Sequence, residues 1–242
     1  MLEEAPENKS MQKDVGLSNP DYHRHAAISK SKLDLINKSP AHYWARYLDP
    51  NRVRPEPTKA MILGSAFHTL VLEEDKFQDE YCVSPTFNRR TKDGKLGYEA
   101  FKKAHEGKIA LTSEDSDTLF RMQESIFKHP SASKLLALKG KAEQTFMWDD
   151  EETGLQCKCR PDFHSEESKI VIDLKTTEDA SPDGFSRSIH KYRYHVQAAW
   201  YLRGCPNAAA FLFIAVEKTP PYAVVCYQAD PEMVAAGERA MD

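Results

Sequence analysis

The stretch "KIVIDLKTTEDA", residues 169–180, decides how this chain is read. Ile170, Ile172 and Leu174 alternate with Val171, Asp173 and Lys175. Successive side chains of a strand point to opposite faces, so each of these trios shares one face. The apolar spacing asks for a buried strand, yet its second face carries two opposite charges. Those charges are expected to point away from the core into a common space. A bare Asp-x-Lys also fits a ladder of charges on an exposed sheet face, so it needs a partner. The segment before it supplies one in Asp162, directly after Pro161. If the two segments are hairpin neighbours, Asp162 and Asp173 lie side by side. Two carboxylates that close repel unless a positive charge lies between them. A divalent cation meets that need, and Mg²⁺ favours one or two carboxylates with water and phosphate oxygens. Lys175 beside such a cation would be placed to steer or deprotonate a water and to stabilise phosphate charge.

Around this stretch, residues 142–175 alternate apolar and polar, with turn-rich breaks at 150–154 and 164–168. That pattern predicts a three-stranded antiparallel meander. A helix over 192–204, strands over 208–218 and 222–230, and a last helix from Pro231 follow. The chain stops inside that last helix, and a C-terminal piece is expected to be missing. Upstream, a helical stretch from residue 29 breaks at Pro40, with Ser39 as the cap of its second half. Thr58 caps a helix that is apolar on nearly every side from Met61 to Leu72. Residues 85–110 are rich in Lys and Arg, with three glycines, and predict a loop followed by a short helix. Thr112 and Asp115 have capping-box spacing before an amphipathic helix, and residues 131–140 continue helical. Residues 1–24 are polar and aperiodic and are expected to form a mobile tail. Residues 25–242 are expected to form one domain, helical to about 140 and a sheet core from about 141.

The chain has 242 residues, 40% hydrophobic and 29% charged, which suits a soluble globular protein. No apolar run approaches the ~20 residues that span a bilayer. The first residues lack the basic-then-apolar pattern of a signal peptide, so a cytoplasmic location is the default. Five scattered cysteines do not make a disulfide framework. Cys157 and Cys159 share one face of a strand, as two small core residues or as a soft-metal site. A net charge of -4 argues against a wholly basic protein but not against a local basic groove.

Here the residues carry a resemblance. "RPD" at 160–162 and "DLK" at 173–175 resemble the signature of the PD-(D/E)XK nucleases. "GSAFH" (Gly64 to His68) and "QAAWY" (Gln197 to Tyr201) resemble the Gly-x-x-x-His and Gln-x-x-x-Tyr helices of their RecB-like branch. "SKSKLDLINKSPAHYW", residues 29–44, is similar to that branch's N-terminal helical segment. The match spreads over residues 29–230, and its order looks most like the nuclease domain of RecE (exonuclease VIII) and phage relatives.

The resemblance implies an α/β fold: a central mixed β-sheet flanked by helices, a restriction-endonuclease-like core with an N-terminal helical portion. It implies that His68, Asp162, Asp173 and the backbone carbonyl of Leu174 hold the metal and that Lys175 is the catalytic lysine. Gly64, one turn before His68, would allow close packing beneath it. Glu143, expected to open the first strand, matches an acidic position beside the metals. Gln197 and Tyr201 would contact DNA or orient Lys175. Taken singly, a histidine in an apolar helix is usually a hydrogen-bonded core residue, and two residues four apart on a helix are mostly packing. Tyr194 lies on the same stripe and fits either role. Arg89, Arg90, Lys92 and Lys95 fit a solvated loop or a DNA-contacting arm. His164, His190 and His195 receive no role.

The implied activity is a Mg²⁺-dependent exodeoxyribonuclease with two ions per site, for which Mn²⁺ can substitute. It would act on linear double-stranded DNA from its ends, 5′ to 3′, leaving 3′ single-stranded tails for recombination. The implied partners are a single-strand annealing protein and further copies of the chain in a ring, with no membrane, in a bacterial or phage setting. Fe–S relatives need a cysteine trio near the C-terminus. Only Cys205 and Cys226 lie late here, so no cluster is expected. Two rivals stand beside this activity: an endonuclease or single-strand nuclease of the same superfamily, and a non-catalytic DNA-binding or assembly module. The intact Asp–Asp–Lys set argues against the second.

Overall fold

The computed structural model describes residues 15–53 and 55–241. Of the expected tail, residues 1–14 lie outside that range. Within it, Ser18 caps α1 (Asn19–Arg24) by accepting from the Asp21 amide. The strand-like approach to α1 is tied down as well. The Val15 amide donates to the Thr145 carbonyl, and Arg160 Nη2 donates to that of Leu17 at 2.8 Å. The end of α1 is clasped by buried cations. Lys158 donates to the Tyr22 and His25 carbonyls, and Lys32 to those of His25, Ala26 and Ala27. Cations at the C-terminal end of a helix meet its partial negative charge. The Tyr22 ring lies between Lys158 and Arg160, at 4.3 and 4.4 Å.

The helical portion follows its capping residues. After α2 (Lys30–Lys38), Ser39 caps α3 (Pro40–Tyr43) with Pro40 at its first position, and the last turn widens into a π-helix at Trp44–Leu48. Thr58 caps α4 (Lys59–Leu72), which runs into α5 (Glu74–Glu80). A small parallel pair, β1 (Tyr81–Ser84) and β2 (Ile109–Thr112), was not foreseen. Between them α6 (Lys92–Ala104) is 13 residues long, so Lys92 and Lys95 are helical rather than in a loop. Thr112 caps α7 (Ser113–Lys128) by accepting from the Asp115 amide. His129 caps α8 (Pro130–Leu136).

The expected meander is present in broken form. Its first strand divides into β3 (Lys141–Ala142) and β4 (Phe146–Asp149), its second into β5 (Gln156–Cys159) and β6 (Phe163–Ser165). β4 and β5 form a separate hairpin, while β3 and β6 join the main sheet. Two local causes act at the break. Pro161 has no amide to give to a ladder, and Glu143 adopts a left-handed backbone, φ 51°. Arg160 fills the gap, donating from Nε and Nη2 to Thr145 Oγ1 at 2.9 and 2.6 Å.

β7 (Ile170–Thr177) is the centre of the main sheet. From it the chain passes through α9 (Pro182–Tyr192) and α10 (Tyr194–Gly204) to β8 (Ala210–Glu217), β9 (Val224–Gln228) and α11 (Pro231–Arg239). The order is β3-β6-β7-β8-β9, with β7 and β8 parallel and the other pairs antiparallel. This is the mixed sheet flanked by helices that was expected. α9 was not expected. Ser181 caps it, Pro182 opens it, and Arg193 in a left-handed conformation turns it into α10.

Both faces of the sheet are buried, which corrects the expectation of one open face. Ile172, Leu174, Ile214 and Val216 pack with Phe67, Leu70, Met122 and Ile126 of the helical portion. Val171, Phe211, Phe213 and Ala215 pack with Phe185, Ala198 and Trp200 of the second helical layer. Asp173 therefore sits inside the protein, 1% exposed. A parallel pair such as β7–β8 needs a crossover, and the helices of that crossover cover the face.

Candidate active site

The register Phe163↔Ile172 sets Asp162 and Asp173 opposite each other where β6 and β7 meet. Asp162 Oδ2 accepts from the Leu174 amide at 2.6 Å, and its Oδ1 lies 3.3 Å from His68 Nδ1. α4 brings His68 across from the helical portion, anchored by buried Ala66, Phe67 and Leu70. Gly64 is not needed for close packing, since nothing lies within 4 Å of where its Cβ would be.

Glu143 completes a group of three. One ligand atom each of His68, Glu143 and Asp162 lies within 4.8 Å of the others. Glu143 does not open a strand. It occupies the kink between β3 and β4, its left-handed backbone held by its amide's bond to the Asp162 carbonyl at 3.2 Å. A non-glycine residue in that region is uncommon, and such backbone clusters at functional sites.

Asp173 lies on the other side of Asp162. Its Oδ2 is 2.5 Å from Lys175 Nζ, and its Oδ1 accepts from Gln197 Nε2 at 2.5 Å. Lys175 Nζ also lies 4.6 Å from the centre of the Tyr194 ring. Tyr201, one turn after Gln197 on α10, packs against Phe211. The structure thus gathers Asp162, Asp173, Lys175, Gln197, His68 and Glu143. It places Glu143 rather than Asp173 within the His68–Asp162 donor group. The Leu174 amide, the group engaged here, steadies Asp162. Arg89, Arg90, Lys92 and Lys95 are exposed at the start of α6, where Arg89 lies over the Tyr98 ring at 4.3 Å. Among the described residues, no hydrogen bond or ion pair joins them to the carboxylates.

The electrostatics show what the donor group lacks. Burial, reinforced by the charge of Asp162, pushes the Glu143 carboxyl up to about 8. Burial raises Asp173 to about 6, with Lys175 opposing and Asp162 adding. Burial would raise Asp162 too, but His68 and Lys175 hold it below the ordinary carboxylate value. Burial opposes the charge on His68 and on Lys175, yet the neighbouring aspartates carry both above their usual values. One imidazole and two carboxylates, one of them kept protonated by burial and by its neighbour's charge, fit a divalent cation.

The sign of the metal's pH dependence follows. Near neutral pH, Glu143 holds a proton that a cation must displace, and the aspartates shift His68 toward its protonated form as well. Mn²⁺ or Mg²⁺ should therefore bind more tightly as pH rises toward 8, with protons released on binding. Glu143 also makes the metal-free protein less stable over the same rise. Its contribution is intact below the unfolded value and lost as pH passes the folded one. Titration calorimetry in buffers of different ionisation enthalpy measures the protons. A heat independent of the buffer would remove Glu143 and His68 from the ligand set.

Several contributors lay outside the expected set. Tyr194 was open to either role. Arg160 and Thr145 brace the kink that carries Glu143, and only the position of Arg160 next to Pro161 hinted at this. His164 is a core residue whose Nε2 meets the Pro206 carbonyl at 3.1 Å. Cys157 and Cys159 face the core, where the Cys159 and Cys205 sulfurs approach to 3.7 Å.

Known proteins place this geometry in context. Residues 29–241 match the family described as a PDDEXK-like domain of unknown function (DUF3799). A crystal structure of a "putative exonuclease" from Eubacterium rectale superposes over 93% of this chain and 82% of its own, at a TM-score of 0.66 and 14% identity. That likeness is one of fold. The structure of SSO0001 aligns over 76% of this chain and 87% of its own, at 16% identity and a TM-score of 0.32, too low to argue from. No curated protein sequence matches the chain.

Proposed function

This chain belongs to the PDDEXK-like family whose shared part covers residues 29–241, and from that membership together with its site we infer that it is a metal-dependent nuclease acting on DNA. The observation that carries this reading is the meeting of Asp162, Asp173 and Lys175 with His68 and Glu143 at the β6–β7 junction. A carboxylate-lined cation beside a half-buried lysine suits hydrolysis of a phosphodiester.

His68, Glu143 and Asp162 would hold the ion, with Asp173 beside them. A bound Mg²⁺ or Mn²⁺ would polarise a phosphoryl oxygen and lower the pKa of a water that attacks the phosphorus, the ester oxygen leaving. The chain's own residues do the rest. The Leu174 amide fixes the Asp162 carboxylate. Gln197 fixes Asp173, which holds the Lys175 ammonium. That ammonium is positioned to meet the negative charge growing on the phosphate. Burial of the pair keeps competing water away and strengthens each of these interactions.

The finer reading is an exonuclease that uses Mg²⁺, starts at ends of double-stranded DNA, degrades the 5′-ended strand and leaves a 3′ tail. It extends to an annealing partner and a ring of identical subunits. These points rest on the resemblance to RecE-like nucleases. A closed ring would hold DNA through successive cuts without strong contacts, which suits a chain of net charge -4. Time courses on linear and covalently closed duplex, with each strand end labelled separately, test it. Linear duplex should be consumed from its 5′ ends only when Mg²⁺ is present, and closed circles should survive. Cutting of closed circles would replace this reading with an endonuclease.

A further inference from the structure

A cleft of about 470 Å³ opens at the C-terminal end of β7, next to Lys175. That volume is typical of ligand sites, and the C-terminal ends of strands are where open α/β sheets bind ligands. Its lining includes Lys175, Arg187, Lys191, Lys218, Tyr192 and Tyr194. Two carboxylates also line it, and each is already matched: Asp179 by Arg187 at 3.2 Å and Glu178 by Lys218.

The aromatic residues are ordered. Tyr194 and Tyr192 stack, with ring centres 5.6 Å apart and planes at 26°. Lys175 lies over Tyr194 at 4.6 Å, and Lys191 over Tyr192 at 5.0 Å. Lys175, Tyr194 and Tyr192 thus lead from the site out to the surface, with the mobile Lys191 side chain beside the outer ring. Tyr192 is 49% exposed.

Resting on the nuclease reading, we propose that this cleft is the track for one DNA strand, with a base stacked on Tyr192 and its phosphates met by Lys191, Arg187 and Lys218. The occupant is a single strand rather than a duplex. A stacked base must leave its own helix to lie on a protein ring, whereas an intact duplex keeps its base faces stacked on one another. Cationic grooves with interleaved aromatic rings bind single strands without reading sequence, because every base offers a π-face. The track begins at Lys175, so a strand held in it has a phosphate beside the site.

The test uses the full chain in EDTA, where strands are not cut, and a single-stranded oligonucleotide carrying 2-aminopurine. Binding should quench the fluorescent base. Tyr192→Ala should remove the quenching and weaken binding roughly 5- to 100-fold, while Tyr192→Phe keeps both. Lys191→Ala should flatten the salt dependence by about 0.7 in the slope of log affinity against log salt. Unchanged binding and quenching in Tyr192→Ala, or a preference for duplex that ignores Tyr192, would overturn the assignment. A parallel Mg²⁺ assay separates the two levels. If the unaltered chain cuts DNA while Tyr192→Ala binds and quenches like it, the track alone falls. If the unaltered chain cuts no DNA, the nuclease reading falls, whatever Tyr192 does.

Discussion

Lys175→Ala is expected to lower DNA hydrolysis by about 10²–10⁴-fold while the protein stays folded. The loss follows from geometry. Lys175 Nζ is the cation that touches Asp173, at 2.5 Å, and it faces the cleft from beneath the Tyr194 ring. Its removal leaves Asp173 buried with Gln197 as its remaining hydrogen-bond partner. An unmatched buried carboxylate would be costly, but this one already titrates near 6. Losing its cation raises it further, and at neutral pH it takes up a proton instead of unfolding the chain. Lys175→Met keeps more of the side chain's volume and should show the same rate loss with a smaller change in stability. The measurement is the rate on linear duplex at saturating Mg²⁺, paired with thermal unfolding. Activity near that of the unaltered chain in a folded variant would remove Lys175 from the chemistry.

His68→Ala should act on the metal rather than on DNA. The half-saturating concentration of Mn²⁺ should rise by at least about 10- to 100-fold, the range that loss of an outer partner alone produces. DNA binding in EDTA should stay nearly the same, because His68 lies on α4 and outside the cleft lining. Two effects add. A nitrogen donor is lost from the group that includes Glu143 and Asp162. Asp162 also loses the neighbour that keeps it ionised. Its carboxyl then moves up, and a proton competes with the cation for the same oxygen. Mn²⁺ titrations followed by electron spin resonance read the affinity without relying on turnover. An unchanged affinity would return His68 to the status of a core residue bonded to a carboxylate.

How far the site was legible depended on the physics behind each residue. The pairing of Asp162 with Asp173, and the shared side of Asp173 and Lys175, followed from the two-residue period of a strand. That period survives any tertiary context. The caps at Ser39, Thr58 and Thr112 were legible because capping is local. The burial of the second sheet face was not. Asp173 and Lys175 look like surface residues until Gln197 and Tyr194 are laid over them, and those arrive from residues about twenty further on. α9 escaped notice because a glycine and two serines dilute its helical pattern. At its Gly184 a Cβ would lie 2.1 Å from the Asp179 carboxyl carbon, so the Asp179 side chain would have to swing aside. The left-handed turn at Glu143 was illegible in principle, because glutamate carries no preference for it and only the surrounding contacts enforce it.

The clasp on α1 has a consequence for how this protein can be divided. The part shared with its family starts at residue 29, yet Lys32, Lys158 and Arg160 all reach back to carbonyls of residues 17–27. Lys158 is 2% exposed, and burial pulls its ammonium down to about 8. A fragment trimmed to the shared boundary would keep these three cations and discard the backbone oxygens they were built around. The unit that is inherited is thus shorter than the unit that must be made together. Any transplant, fusion or minimal version of this nuclease fold has to carry the preceding dozen residues with it, although they contribute no ligand, base or acid to the site.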